Sequence, residues 1–92
     1  MKIEFSLDAR KDLERLKEFI ANKNPQSAIR IINELIEGIN KLIKFPDLGK
    51  QVKQAPVPDA LRDLYILDYH IRYLKLSKAI IIVRVWHQKE NR

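Results

Sequence analysis

"RDLYILDYHIRYLKLSKAIIIVRVWH" (residues 62–87) decides the fold. It holds three runs, "RDLYIL" from Arg62, "YHIRYLKL" from Tyr69 and "AIIIVRVWH" from Ala79, with Ser77 and Lys78 at the turn between the last two. Short runs rich in β-branched and aromatic residues, with polar residues interleaved, mark strands. The last third of the chain therefore reads as a three-stranded antiparallel meander.

Upstream lies "FPDLGKQVKQAPVPDA" (residues 45–60), which carries three of the four prolines and one of the two glycines. It reads as a long connector without a period. Before it the period is helical. Ala28, Ile29, Ile32, Leu35, Ile36, Ile39, Leu42 and Ile43 form a wide apolar stripe on a helix running to about Lys44. A stripe that wide is expected to touch both another helix and a sheet. Asn24 is the expected cap of this helix and Pro25 suits its first position.

A first helix precedes it. Ser6 is the expected N-cap, Asp8 favours the positive end of the helix dipole, and Ala9, Leu13, Leu16 and Ile20 mark the buried face up to about Asn22. Asp8–Lys11 and Glu14–Lys17 are spaced to pair on its exposed face. With so few residues between them, the helices must fold back as a hairpin. In "KIEFS" (residues 2–6), Ile3 and Phe5 fall on one side of a short strand. The order is strand, helix, helix, meander: an α+β fold with an N-terminal strand and helices on one face of the sheet.

Ninety-two residues make one domain, residues 1–92. At 46% hydrophobic and 33% charged the chain should be globular and soluble. The lack of cysteine excludes a disulfide scaffold and a cysteine nucleophile. "MKIEFSLDAR" has no apolar core for a signal peptide and no stretch approaches a membrane span, so a cytoplasmic protein with no membrane partner is expected. Of the net +6, residues 62–92 supply most, with 7 Lys/Arg against 3 Asp/Glu. Such a bias suits an acidic partner or a solvated basic edge.

No phosphate loop, zinc spacing or nucleophile elbow occurs, and two histidines are too few for a metal site, so no cofactor or metal is expected. One constellation follows from a two-residue hairpin at Ser77-Lys78. It would place His70 opposite Val85, Arg72 opposite Val83 and Asp68 opposite His87. Asp68, His70, Arg72 and His87 would then share one sheet face, and Tyr69, Ile71, Tyr73, Ile82 and Trp86 the other. A histidine beside arginines and a carboxylate suits acid–base work on a phosphodiester, whereas a histidine at a strand end is more often inert. A Trp86 indole at the end of such a strand packs most often against a helix. Arg62 and Arg84 serve more often in salt bridges than as ligands, yet with Lys89 and Arg92 they also compose a basic patch.

The layout as a whole resembles the RelE/ParE toxin superfamily, the plasmid stabilisation toxins. The resemblance rests on "ARKDLERLKEFI", the second long helix, "FPDLGK", "LRDLYILDYHIRY" and "IIIVRVWHQ" in that order. Pro46 to Gly49, Arg62, the Tyr69…Tyr73 strand and Val85-Trp86-His87 are its most telling parts. It implies a small basic toxin of a type II toxin–antitoxin system, neutralised by a cognate antitoxin in a hetero-oligomer. The ParE-like branch poisons DNA gyrase and is not an enzyme, whereas the RelE-like branch cuts mRNA on the ribosome without a metal. RNA-cutting relatives usually carry arginine where this chain has His70, and often a His-Tyr pair where it has His87-Gln88. The ParE-like branch is therefore expected, with Arg62, Arg72, Arg84, Trp86, His87, Lys89 and Arg92 as target-binding residues. His87 is the catalytic candidate only if the chain is RelE-like, and an interaction-only member is the remaining alternative.

Overall fold

The computed structural model describes residues 1–53, Pro56 and residues 60–90. The chain order is β1 (Lys2–Phe5), α1 (Leu7–Lys23), α2 (Pro25–Asn40), a 3₁₀ turn at Lys41–Ile43, β2 (Lys50–Gln51), β3 (Leu61–Ile66), β4 (Tyr69–Lys75) and β5 (Ala79–His87). The strands form one five-stranded sheet in the order β1-β5-β4-β3-β2. β1 runs parallel to β5 at one edge, and the other neighbours are antiparallel. The expected α+β architecture is present. β2 is an addition, because a two-residue strand has no period to read.

Each helix begins where its sequence says it should. Ser6 caps α1, its Oγ accepting the Ala9 N–H at 3.0 Å and donating to the Val83 carbonyl at 2.8 Å. One hydroxyl thus starts a helix and ties it to the last strand. Pro25 occupies the first turn of α2 as expected, but the Asn24 side chain makes no capping hydrogen bond. Its main-chain N–H instead closes α1 on the Ile20 carbonyl at 2.8 Å.

Ala9, Leu16 and Ile20 of α1 and Leu35, Ile39 and Leu42 of the second helical stretch bury against Leu64, Tyr69, Ile71, Tyr73, Ile80, Ile82 and Val85 of the sheet. The α2 stripe is only partly used. Ile29, Ile36 and Ile43 face solvent, Ile29 with 76% of its surface exposed. α1 and the sheet occupy two sides of α2, and a stripe spanning more than that arc leaves its outer positions uncovered. No helix among the described residues is long and apolar enough to cross a membrane.

The β4–β5 register starts as the hairpin at Ser77-Lys78 requires, with Lys75 opposite Ile80 and Tyr73 opposite Ile82. A β-bulge then intervenes, and Arg72 pairs with Arg84, Ile71 with Val85, His70 with Trp86 and Tyr69 with His87. The expected pairs of His70 with Val85, Arg72 with Val83 and Asp68 with His87 are therefore corrected. The extra residue is Val83, whose carbonyl is held by Ser6. A bulge reverses the facing of everything beyond it relative to a flush ladder.

Candidate functional site

The helices cover one sheet face and leave the other open. Cross-strand partners share a face, so the register defines three rows on the open side: Leu61–Leu74–Ile81, Asp63–Arg72–Arg84 and Tyr65–His70–Trp86. The bulge places Trp86 beside His70 and Arg72 instead of against a helix.

The aromatic row is a stack. The His70 imidazole lies 4.1 Å from the Trp86 ring and 4.4 Å from the Tyr65 ring, centroid to centroid. The Arg72 guanidinium sits over Trp86 at 5.4 Å, within cation–π range. Arg72 also forms a two-pronged pair with Asp63, Nε to Oδ1 at 2.9 Å and Nη2 to Oδ2 at 3.0 Å. His70 Nε2 lies 2.9 Å from the same carboxylate without the alignment of a hydrogen bond. Burial alone would raise the Asp63 carboxyl, but the Arg72 hydrogen bonds, together with the closeness of His70 and the Arg72 charge, hold it below the ordinary value.

Arg84 turns away from this row. β1 ends opposite Ile82, so beyond that point the outer edge of β5 is open. Asp12 of α1, 4% exposed, fills the gap: its Oδ2 accepts the Val85 N–H at 2.9 Å and Arg84 Nε at 2.8 Å. Arg84 Nη2 reaches Oδ1 at 3.1 Å, and Arg15 Nη2 reaches the same atom at 3.3 Å. Burial again pushes the Asp12 carboxyl up, and the Arg84, Val85 and Arg15 hydrogen bonds bring it down below its usual range.

The remaining candidates lie apart. Arg62 is 9% exposed on the helix side, where Nη1 donates to the Gly49 carbonyl at 2.8 Å and Nη2 meets Asp47 at 3.4 Å. It braces the connector together with Tyr73, whose hydroxyl donates to the Pro46 carbonyl at 2.7 Å and accepts the Gly49 N–H at 2.9 Å. His87 also falls on the helix side, edge-on to Tyr69 at 5.0 Å. Its Nδ1 accepts the Lys89 N–H at 3.0 Å. That bond engages the Nδ1 lone pair, so in the neutral ring it favours the tautomer with its proton on Nε2, a hydrogen-bond donor. Lys89 is exposed beside it, and Arg92 lies outside the described residues. Asp68 sits in the turn after β3, where its main-chain carbonyl accepts the Gln88 N–H at 2.8 Å. The expected constellation of Asp68, His70, Arg72 and His87 is thus divided: only His70 and Arg72 share the open face.

Three members of the site escaped the sequence reading. Asp63 was findable, because a two-residue turn at Leu67-Asp68 places it opposite Arg72 and Tyr65 opposite His70. Asp12 had no local signal, since its partner Arg84 is 72 residues away. Among the described residues, no group of three His, Cys, Asp or Glu gathers as metal ligands would.

The profile of the family described as the ParE toxin of the type II toxin–antitoxin system parDE matches residues 3–92. The chain belongs to the ParE toxin family. Toxin RelE3 of Caulobacter vibrioides is similar at 29% identity over 98% of this chain and 97% of its own length. Toxin RelE1 of the same organism is 26% identical over 95% and 92%. Among solved structures, the chromosomal ParDE system of P. aeruginosa superposes with a TM-score of 0.76 at 19% identity, covering 95% of each chain. Helicobacter pylori HP0894 gives 0.62 at 20% identity over 98% and 97%. E. coli YafQ gives 0.54 at 21% identity over 95% and 92%. These structures share the toxin's fold, and the chain is a type II toxin of the RelE/ParE superfamily.

Proposed function

We propose that the toxin poisons DNA gyrase by docking its open sheet face and C-terminal rim, without catalysing a reaction, and that a cognate antitoxin neutralises it. The supporting observation is the dispersal of the groups a nuclease would need to gather. Arg72 is neutralised by Asp63, Arg84 by Asp12, and Arg62 is turned inward onto the connector. His87 belongs to the other sheet face, and its Nδ1 is engaged by the Lys89 N–H. Phosphate recognition and acid–base chemistry need uncompensated cations and a base within reach of one reacting centre. A face of stacked rings, aliphatic residues and internally paired charges suits a protein target, where aromatic anchors supply most of the binding energy.

A second reading draws on the curated relatives, which carry the RelE name. Under it, His87 would first take up a proton at Nδ1, breaking the Lys89 contact, and as the imidazolium would give its Nε2 proton to the leaving oxygen during cleavage of ribosome-bound mRNA. Expression of the chain alone in a bacterium separates the two. DNA breaks and altered plasmid supercoiling while translation continues, reproduced with purified gyrase, are expected. Immediate translation arrest with cleavage at the ribosomal A site would overturn the gyrase reading.

A further inference from the structure

A line of polar side chains runs from the middle of α1 to Glu90, outside the hydrophobic core. Arg15 shares Asp12 with Arg84 and, through Nη1, ion-pairs with Glu90. The other Glu90 oxygen, Oε1, accepts the His87 N–H at 3.0 Å, and the Glu90 N–H returns to the His87 carbonyl at 2.9 Å. This closes residues 87–90 into a turn, and within that turn the Lys89 N–H is delivered to His87 Nδ1 at 3.0 Å. Tyr69 meets the ring edge-on, and the Asp68 carbonyl holds the Gln88 N–H.

We propose that Glu90, anchored by Arg15, is a positioning residue that locks His87 at the rim as a hydrogen-bond donor through Nε2–H, so that the target group it meets must be an acceptor. A free imidazole exchanges its proton between two nitrogens, and the bond made by one nitrogen decides which form is present. Here a main-chain N–H occupies Nδ1, and it stands where it does because Glu90 folds the turn. Arg15 supplies the link to α1. The proposal rests on the reading that this rim meets the target, but its structural half does not depend on which target that is.

The test is nitrogen-15 NMR of the His87 ring at pH 8 in the full chain, for the wild type, Glu90→Ala, Glu90→Gln, Arg15→Ala and the double variant Arg15→Ala/Glu90→Ala. Thermal melting serves as the check on folding. The wild type should show the Nε2–H form alone, and Glu90→Ala a mixture of the two tautomers. Glu90→Gln keeps an oxygen for the His87 N–H and should retain most of the wild-type pattern. The double variant should look like Glu90→Ala, because both residues act through one connection. An unchanged His87 tautomer in a folded Glu90→Ala protein would overturn the proposal. Inhibition of purified gyrase gives the functional half: Glu90→Ala should weaken it roughly two- to twelvefold, the loss of one well-placed hydrogen bond. A released tautomer with unchanged inhibition would overturn that half. A wild type inert toward gyrase but arresting ribosomes would sink the gyrase reading and leave the tautomer result standing.

Discussion

The carboxylate of Asp12 accepts the main-chain N–H of Val85 at 2.9 Å, so a helix side chain takes the place of the neighbouring strand that β5 lacks beyond Ile82. The same carboxylate holds Arg84, which the β-ladder alone would leave beside Arg72. One buried acid therefore closes a sheet edge and removes a positive charge from the open face.

Asp12 should make the fold acid-sensitive. Its carboxyl lies below the ordinary value in the native state, so its contribution is complete above the unfolded carboxylate pKa of about 3.9 and fades as pH falls through the lower native value. Asp12→Ala strands the Val85 N–H and should cost about 1–3 kcal/mol at neutral pH. Denaturant titrations from pH 7 down to pH 2 should show the gap between wild type and variant narrowing only below about pH 4. A gap that widens with acid would contradict this assignment.

Gly49 should not tolerate a side chain. A Cβ there would come within 2.7 Å of Tyr73 Cε1 and 2.9 Å of the Asp63 carbonyl oxygen. The Tyr73 ring is fully buried and its hydroxyl already holds the Gly49 N–H, so neither neighbour can give way. Gly49→Ala should destabilise by about 1–3 kcal/mol, the usual cost of overpacking, read from the urea midpoint. Neutral behaviour would mean that the connector is looser than this packing implies.

The two sides of α2 should respond differently to truncation. Leu35 is buried, and Leu35→Ala should cost about 2–5 kcal/mol. Ile29→Ala, on the solvent side, should stay within about 0.5 kcal/mol. Equal effects would show that the outer stripe is covered when the protein is free in solution.

Trp86 should matter more for action than for folding. It caps the His70–Tyr65 stack on the uncovered face. If this face docks on a protein target, Trp86→Ala should remove at least about 2 kcal/mol of binding, the hot-spot range. Gyrase inhibition by the purified variant checks this, with antitoxin binding and melting temperature as controls. Wild-type potency in a folded Trp86→Ala protein would move the target surface elsewhere.

Strand, helices and meander were legible because each has its own period, and the capping Ser6 and Pro25 stand where their chemistry requires. The site was legible only in pieces. The sequence places His70, Arg72 and Trp86 on neighbouring strands, but their common face depends on the bulge at Val83. That bulge is held by Ser6 and lies beside the Asp12 contact with Val85, both of them partners from the far end of the chain. No local period carries such a signal. The same distance concealed the pairing that neutralises Arg84, and a two-residue β2 left no pattern at all.

The parallel pairing of β1 with β5 has a consequence for synthesis. Lys2 pairs with Ala79 and Phe5 with Ile82, so β1 leaves the ribosome well before its partner and must wait for β5 before the sheet can close. The Ser6 bond to Val83 and the Asp12 bond to Val85 wait equally long. Contacts that bridge nearly the whole chain form late. A nascent copy therefore has no finished open face until β5 has emerged, and a truncated copy lacking β5 never acquires one. Display of the open face is thereby tied to the synthesis of β5.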